Sequence, residues 1–437
     1  MDDQSPKSAL APVLPKSKAQ ITGGQIAMLS FAIFLKGGLL GAYLPFSSLW
    51  LSEKGYGPRD LALVALVDSI GCFLLPFVGN FVDKLRMHNA SFVVILLILT
   101  ALKLSYLPAA GSLVAILALT AITAPLLRAA NCILDTLALY AFVERGNFAR
   151  VRLMGDLGWG SCAMSVGLAM DYFRTEDVIY WLFASACCTL ALAWTAATPF
   201  MAAIRPDSKP MSTAEFCSQA ERLLRELMGW DAARAMAMVA LGGAASGIIT
   251  TFELVLLKKM MGSGGLLGLC KLTGTVCALP VWWTLSPVMD RIGIKNVQLI
   301  CTLFIAVRLY ILGVITEPYQ ALYSEALAGI GGFAAIYGSI TVFMGRVVDE
   351  DLKGTSQTLI FVFFSGFGAG FAPIGASYVV IAQGIKGMFL LSSYVFMVVV
   401  AVLAIFDSIQ WLILGNYRSL EETWVARPVS LAKQEAA

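Results

Sequence analysis

The stretch GNFVDK at residues 79–84 closes a long apolar segment, and SPVMDR at residues 286–291 closes another segment six further along the chain. In each stretch a small residue is followed four positions later by an acid and then a base, which are Asp83 and Lys84 in the first copy. Recurrence with a period of six membrane segments indicates a duplicated bundle whose two halves rock about a central site.

The composition is that of an integral membrane protein. Of the 437 residues, 58% are hydrophobic and only 14% are charged, and the mean hydropathy is +0.79. About 20 apolar residues span a bilayer core roughly 30 Å thick. The predicted fold is therefore all-α, with twelve transmembrane helices in two six-helix bundles. The predicted spans are residues 25–51, 58–83, 90–108, 113–142, 151–172, 178–201, 233–257, 266–289, 297–316, 319–344, 355–382 and 387–414.

Lys and Arg are distributed unevenly around these spans. Most of the 31 basic residues fall on the side of the membrane that the N-terminal tail occupies, and an excess of positive charge marks the cytoplasmic side. Both termini are therefore predicted to be cytoplasmic, and the plasma membrane is expected in preference to an organelle. The formal net charge of +3 reflects this bias rather than nucleic-acid binding. The loops on the opposite side carry only Lys54, Arg59, Arg174, Lys258, Lys259 and Lys386.

The longest polar stretch between spans, residues 203–231, divides the chain into two halves. Within it apolar residues such as Phe216 and Leu223 recur at helical spacing, which favours an amphipathic helix on the cytoplasmic face, with a mobile linker as the alternative. The predicted organisation is a disordered N-terminal tail (1–24), a first bundle (25–202), this linker (203–231), a second bundle (232–414) and a cytoplasmic C-terminal tail (415–437).

The sequence lacks the signatures of catalysis. It has one histidine, nine cysteines without metal-ligand or disulfide spacing, no nucleophile motif and no Gly-rich phosphate loop. We therefore expect no enzyme activity, no metal and no cofactor. The expected partners are a small-molecule solute and the lipid bilayer, with protons left open, and the expected state is a monomer.

Charged residues inside the predicted spans are candidates for a solute site. A charge at the centre of a bilayer costs at least about 2.5 to 3.5 kcal/mol, so each one is a functional hypothesis. Lys36, Asp68 and Arg128 fall at similar depth near the midplane, as does Lys103. They predict a positive cavity wall in which Asp68 pairs with a lysine, whereas Lys103 is expected to be satisfied away from the cavity.

Asp135 and Arg152 lie on sequential spans at similar depth, nearer the cytoplasm. An arginine fork and a carboxylate can together hold vicinal hydroxyls, and Trp159, two turns beyond Arg152, offers a flat face to a sugar ring. The three residues predict a site for a polyhydroxylated solute. A permanent Asp135–Arg152 salt bridge is the alternative.

A second group of buried charges lies in the second half. Glu253, Lys271 and Glu325 all fall in the outer third of their spans. Two carboxylates that share one cation rarely both stay ionised. The group is therefore predicted to be an outer gate or a proton-sensitive site, and satisfied packing of a loop-facing cluster is the alternative.

The repeated stretches also predict how the halves move. Asp83 and Asp290 lie at helix ends, where a carboxylate can accept hydrogen bonds from the N-terminus of a neighbouring helix. Together with Gly79, Lys84 and Arg291, they are predicted to latch the halves in one state of a transport cycle. Anchoring at the membrane surface is the alternative.

Four stretches resemble the oligosaccharide:proton symporter branch of the major facilitator superfamily, the branch of the lactose permease. The resemblance covers nearly the whole chain, and the block at 150–159 is its most specific part. It implies that Arg152 and Trp159 contact a sugar together with a fourth-span acid, for which Asp135 is the nearest candidate. The stretches are LGAYLPF at 40–46, GNFVDKL at 79–85, RVRLMGDLGW at 150–159 and DRIGIKN at 290–296, followed by Arg308.

The same resemblance leaves proton coupling open. The acid and histidine positions that the family uses for protons align here with Thr275, Ala328 and Gly331, so the family's route is incomplete. Facilitated diffusion without proton coupling is the alternative. The remaining candidates for coupling or gating are Glu253, Lys271, Glu325, Arg308 and Asp156.

The sequence thus predicts a transporter for a small polar solute of sugar or nucleoside type, working by alternating access. An organic anion is the alternative substrate, because Lys36, Lys103 and Arg128 outnumber Asp68 in the central layer. A receptor or scaffold of the same shape that moves nothing is a third reading.

Overall fold

The helices begin and end close to the predicted spans. The computed structural model describes residues 23–74, 88–142, 148–201, 230–347 and 358–414, together with positions 214, 215, 217, 218 and 221. In chain order its longer helices are α1 Gly23–Glu53, α2 Pro58–Ile70, α3 His88–Leu104, α4 Leu113–Phe142, α5 Phe148–Phe173, α6 Val178–Met201, α7 Trp230–Lys259, α8 Gly264–Val314, α9 Ala321–Gly331, α10 Phe333–Val347 and α11 Ala369–Leu414. A 3-10 turn at Gly71–Leu74 extends α2, and a π-helical turn at Val362–Gly368 precedes α11.

Two of these helices each contain two passes joined at a glycine. In α8 the turn is at Gly293, with φ 75° and ψ 156°, and in α11 it is at Gly384, with φ 77° and ψ 172°. Both have the positive φ that favours glycine. We call residues 264–292 and 294–314 the first and second arms of α8. If α9 and α10 count as one pass, the described helices account for twelve passes in the predicted order, although the second is described only as far as Leu74.

The described helices suit a bilayer. Seven of them are long and apolar enough to cross a membrane by length and composition. We call the end of the bundle that carries Glu53, Arg174 and Lys258 the outer end, following the charge-based prediction, and the opposite end, which carries Asp290, the inner end.

An equivalent pair of helices meets at backbone contact within each half. A Cβ at Gly158 of α5 would lie 1.9 Å from the carbonyl oxygen of Phe34 on α1. The second half repeats this contact, because a Cβ at Gly243 of α7 would lie 1.9 Å from the carbonyl oxygen of Phe364 in the π-helical turn. Close packing of small residues drives helix association in membranes. Each half therefore has a tight internal seam.

The same two passes also contact the opposite half. A Cβ at Gly160 of α5 would lie 2.6 Å from Thr275 Oγ1 on α8, and one at Gly370 of α11 would lie 2.6 Å from Ser69 Cβ on α2. The fifth and eleventh passes thus each carry small residues on two faces, one toward their own half and one toward the other. The α5–α8 and α11–α2 contacts are equivalent in the duplicated architecture.

The predicted tails and most of the predicted linker lie outside the described residues. Helix α1 begins at Gly23, just inside the predicted tail 1–24. The linker prediction, 203–231, is described mainly at positions 214, 215, 217, 218 and 221, which are helical and exposed. The domain boundaries therefore stay predictions.

Candidate functional site

Asp68 and Arg128 form an ion pair in the first half. Arg128 Nη2 on α4 donates to Asp68 Oδ2 on α2 at 2.6 Å and to the backbone carbonyl of Asp68 at 3.1 Å. The guanidinium also lies 5.5 Å from the ring centroid of Phe361, in the second half. The prediction of a lysine partner for Asp68 is wrong, because one guanidinium nitrogen of Arg128 reaches both the carboxylate and the carbonyl of this residue.

The two central lysines have different surroundings. Lys36 is half-buried, and its Nζ donates to the carbonyl of Asn131 at 3.3 Å. Lys103 is 1% exposed, and its ammonium lies 3.5 Å from the ring centroid of Tyr43 and 4.6 Å from that of Tyr106. Aromatic faces stabilise a desolvated cation by roughly 2 kcal/mol. Lys103 therefore has its contacts inside the helix bundle of the first half.

The predicted hydroxyl-binding residues lie on α4 and α5. The backbones of Asp135 and Arg152 are helical, but their side chains lie outside the described part of the structure. Trp159 is half-buried, and its backbone is packed against α1, since a Cβ at Gly41 would lie 2.2 Å from its carbonyl oxygen. The contact between Asp135 and Arg152 stays a prediction.

Four charged residues of the second half form one buried cluster. Lys271 Nζ donates to Glu253 Oε2 at 2.5 Å and also to Glu325 Oε1. Arg308 Nη2 donates to the same two oxygens, at 3.2 Å and 3.1 Å. The prediction of two acids around a single base is wrong, because the second arm of α8 brings Arg308 into the group as a second base.

The charges of this four-charge cluster cancel, and its side chains are almost completely shielded from solvent. It has no net formal charge, and the Glu253 and Glu325 side chains are 0% and 5% exposed. Glu253 Oε1 and Arg308 Nε have no hydrogen-bond partner among the described residues. Buried charges are tolerated only when they are paired. The cluster therefore depends on the presence of all four residues.

Asp156 of α5 contacts the second half. Its Oδ2 accepts a hydrogen bond from the indole Nε1 of Trp282 on the first arm of α8. Both side chains are half-buried. The bond lies further toward the inner end than the contact of Gly160 with Thr275, so it is a second point at which α5 and α8 are joined.

The outer end is closed between α5 and α8. The backbone N–H groups of Gly264 and Gly265, the first of α8, donate to the two carboxylate oxygens of Asp171 at 2.6 Å and 2.7 Å. Ser263 Oγ accepts from the N–H of Leu266. A carboxylate is stabilised at a helix N-terminus by its free N–H groups and positive dipole end. Asp171 therefore latches α8 to α5 at the outer end.

One stripe of α5 makes all of these contacts with α8. Its members recur every three or four residues, which places them on one face of the helix. A Cβ at Gly167 would lie 2.2 Å from the carbonyl oxygen of Gly264, so the backbones touch next to the Asp171 latch. The stripe consists of Asp156, Gly160, Ala163, Gly167 and Asp171.

Two more contacts join the halves at the outer end. Lys258 Nζ, at the end of α7, donates to Glu176 Oε1 in the loop after α5 at 3.1 Å. The guanidinium of Arg59 on α2 lies 5.0 Å from the ring centroid of Tyr378 on α11. The outer end is thus held shut at several points in this conformation.

Asp177 joins α1 to the loop before α6, within the first half. Trp50 Nε1 donates to its Oδ1 at 2.7 Å, and Lys54 Nζ lies 3.0 Å from the same oxygen. Burial raises the pKa of Asp177, but the hydrogen bonds from Trp50 and Lys54 outweigh it, so the pKa lies below its ordinary value. A depressed carboxyl pKa stabilises the fold above the ordinary pKa, and this stability is lost as the pH falls through the lowered value.

Removing the Asp171 carboxylate is expected to favour the open outer end. Losing about 1 to 2 kcal/mol of hydrogen-bond and dipole stabilisation shifts the closed-to-open ratio by roughly 5- to 30-fold. Met170, which is 4% exposed and lies beside Gly264, provides the reporter when changed to cysteine in a background without the native cysteines. Maleimide should label this cysteine faster in Asp171→Ala than in the parent, with Asp171→Asn between them. Equal rates in all three would contradict the latch.

The predicted inner latch is only partly described. Gly79, Asp83 and Lys84 lie outside the described residues. Asp290 and Arg291 are exposed, in the last turn before the glycine that joins the two arms of α8. Their role as a latch stays a prediction.

Sequence reasoning misses several cross-helix contacts. They include the Asp171 latch, the Trp282 bond and an ion pair of 2.5 Å between Arg234 on α7 and Asp407 on α11. Each depends on which residue of a distant helix comes close, and local pattern does not contain this information. The latch has a local signal, because Ser263 is a typical N-cap residue of a helix start.

Two halves of six passes, each tightly packed within itself and meeting the other along α5–α8 and α11–α2, have the architecture of a secondary transporter. Residues 26–391 match the family described as MFS_1 like family. Because the match covers most of the chain, the chain belongs to this family of the major facilitator superfamily. It is a multi-pass integral membrane protein and not an enzyme.

Solved structures of transporters share this fold. A mutant form of the nucleoside transporter NupG superposes with a TM-score of 0.72 at 17% sequence identity, covering 86% of this chain and 98% of that one. A POT family transporter in complex with 5-aminolevulinic acid gives a TM-score of 0.65 at 10% identity, covering 89% and 97%. At these identities the likeness shows the fold alone.

Proposed function

We propose that this transporter carries a neutral, polyhydroxylated solute of sugar or nucleoside size by alternating access. The observation that carries the proposal is the charge balance of the described central residues. A buried anionic solute needs cations that are free to pair with it, because an unpaired charge out of water is very costly. A neutral solute needs only hydrogen-bond partners and a flat apolar face.

The sequence shows more cations than anions in the central layer, but the structure provides contacts within the protein for these cations. Arg128 is paired with Asp68 at 2.6 Å. Lys103 is enclosed by aromatic rings in the first half. Lys36 is left, and its ammonium already donates to a backbone carbonyl. In the second half two bases face two acids. These facts favour a neutral solute over an organic anion.

Two further likenesses support the same solute class. The resemblance to oligosaccharide:proton symporters assigns hydroxyl and ring contacts to Asp135, Arg152 and Trp159. The solved structure with a TM-score of 0.72 is described as a nucleoside transporter. A sugar and a nucleoside share a ribose- or pyranose-like ring with vicinal hydroxyls, which an arginine fork and a carboxylate can hold.

The four-charge cluster is proposed to gate the second half and to respond to protons. Adding one proton to Glu253 or Glu325 would leave two cations facing one carboxylate, which disfavours the compact arrangement. Asp156 is the further candidate for this role in the first half. In the alternative, facilitated diffusion, the cluster is a permanent brace and proton occupancy does not matter.

The chain is further proposed to work as a monomer in the plasma membrane with both termini cytoplasmic. The orientation rests on the asymmetry of Lys and Arg.

Lys103 and Lys36 provide a matched test of the cation argument. Lys103→Met is expected to leave solute uptake within about twofold of the parent, because the thioether fills the same aromatic cage. Lys36→Met should reduce uptake more, since Lys36 belongs to the predicted cavity wall. Uptake of a panel of labelled neutral and carboxylate solutes checks both. Loss of carboxylate uptake on Lys103→Met would instead support an anion site.

The thermal stability of the purified protein tests the solute class. A ligand at 100 times its dissociation constant stabilises the folded state by about 2.7 kcal/mol. Uridine or galactose is expected to raise the unfolding temperature, and succinate is not. Arg152→Ala should lose the increase while retaining the unfolding temperature of the solute-free parent. An increase with succinate only would overturn the proposal.

A further inference from the structure

We infer that Trp282 is a solute contact contributed by the second half. In this conformation its indole N–H donates to the carboxylate of Asp156, and we infer that a bound solute replaces it as the donor. This inference deepens the proposed function and rests on it. It adds to Arg152 and Trp159 a specificity-determining residue on α8, a helix for which the sequence suggests no solute contact.

The position of Asp156 on α5 links it to the predicted solute site. Asp156 lies four residues after Arg152 and three before Trp159. Residues three and four apart share one face of a helix, so these three positions form a row along α5. A group that reaches Asp156 from the opposite half therefore reaches the same row. Trp282 does so through its indole N–H.

Thr275 and Trp282 are two residues of α8 that contact α5. Thr275 stands where the resemblance places an acid of the proton route, and it is only 6% exposed and packs against Gly160. Trp282 follows it by seven residues, two turns toward the inner end on the same face. There the side chains of Asp156 and Trp282 join α5 to α8.

A glycine of α10 positions the indole. A Cβ at Gly338 would lie 3.2 Å from Cζ3 and 3.6 Å from Cη2 of Trp282, and 2.8 Å from Cδ2 of Leu285. The six-membered edge of the indole thus rests on Gly338, while its N–H points to α5. A larger residue at 338 would press on Leu285 and on this edge of the indole, and would thus shift the ring. The contact with Gly338 therefore helps to fix the orientation of the Trp282 ring between the halves.

The chemistry of this pair suits a hydroxylated ring. A sugar hydroxyl or a nucleobase N–H can replace the indole N–H as the donor to Asp156, so the carboxylate keeps its hydrogen bond. The released indole then stacks on the ring of the solute, a contact worth roughly 0.5 to 1.5 kcal/mol beyond area burial in aromatic pairs. The solute would connect the two halves in place of the direct bond.

The test compares solute-dependent thermal stabilisation among variants. Trp282→Ala is expected to raise the uridine or galactose concentration needed for half of the stabilisation by at least about tenfold. Trp282→Phe, which keeps a ring, should stay within about threefold. Gly338→Val should behave like Trp282→Ala, although the indole is still present. Trp283→Ala is the matched control, since Trp283 is the next residue and is 65% exposed.

Two outcomes would overturn the inference. One is unchanged stabilisation in both Trp282→Ala and Gly338→Val, and the other is an equal loss in the Trp283→Ala control.

If neither uridine nor galactose stabilises the parent, the proposed function fails. A measurement without solute then tests whether the bond between Asp156 and Trp282 holds the two halves together. Spin labels at Ala90→Cys and Ile292→Cys, exposed on opposite halves near the inner end, should then give longer distances in Trp282→Phe. An unchanged distance distribution would refute the bond's role between the halves.

Discussion

Gly167→Val is expected to prevent the outer end from closing and to reduce transport at least about a hundredfold. A Cβ at this position would lie 2.2 Å from the carbonyl oxygen of Gly264, and the obstacle is helix backbone, which no side-chain movement can relieve. The valine can be accommodated only when α5 and α8 move apart at this end. Alternating access requires both ends to close in turn, so a bundle that cannot close one end cannot complete the cycle.

Gly375→Val is the matched control for this prediction. Gly375 lies on α11, and a Cβ there would meet nothing within 4 Å. Uptake by the two variants in proteoliposomes, together with maleimide labelling of Met170→Cys, separates the effect of the contact from that of any added valine. Uptake by Gly167→Val at the level of the control would show that the outer seam does not need to close.

Glu325→Gln is expected to lower the free energy of unfolding by about 3 to 5 kcal/mol. The change leaves Lys271 and Arg308 facing a single buried carboxylate, and removing one partner of a buried ion pair has effects of this size. The double variant Lys271→Met with Glu325→Leu should recover most of the loss, because Glu253 and Arg308 stay paired at 3.2 Å. Thermal unfolding in detergent provides the measurement.

Glu53→Gln is the control for the loss of one carboxylate, since Glu53 is exposed at the end of α1. An equally small effect of both single changes would mean that the ion pairs of the four-charge cluster contribute little to stability.

The same Glu325→Gln protein also tests proton coupling. If uptake responds neither to an imposed proton gradient nor to this substitution, facilitated diffusion replaces proton coupling as the mechanism.

The sequence predicts the helices well because each pass is an apolar run of membrane length. The predicted spans 113–142 and 178–201 coincide with helices Leu113–Phe142 and Val178–Met201. The turn between the two passes of α8 lies three residues after Asp290, at Gly293, inside the short basic segment that separates the predicted spans. Hydropathy and turn residues are local properties, so a single sequence contains them.

The partners of the buried charges are predicted less well. Depth along a span places Asp68 near Arg128, but it does not say which cation the carboxylate meets, and rotation of α4 about its axis decides this. The same limit applies to Arg308, which joins the four-charge cluster only because two arms of α8 pack side by side. Contacts between the halves, such as that of Asp171 with α8, depend on a conformational state as well as on a fold.

Solute counterflow in proteoliposomes tests the central claim most directly. Vesicles loaded with unlabelled uridine or galactose are diluted into the labelled solute, and exchange then requires a carrier that alternates but needs no proton gradient. The account predicts rapid, transient accumulation of one of these neutral solutes, loss of it in Arg152→Ala, and no counterflow of succinate. Counterflow of succinate with none of either neutral solute would contradict the account.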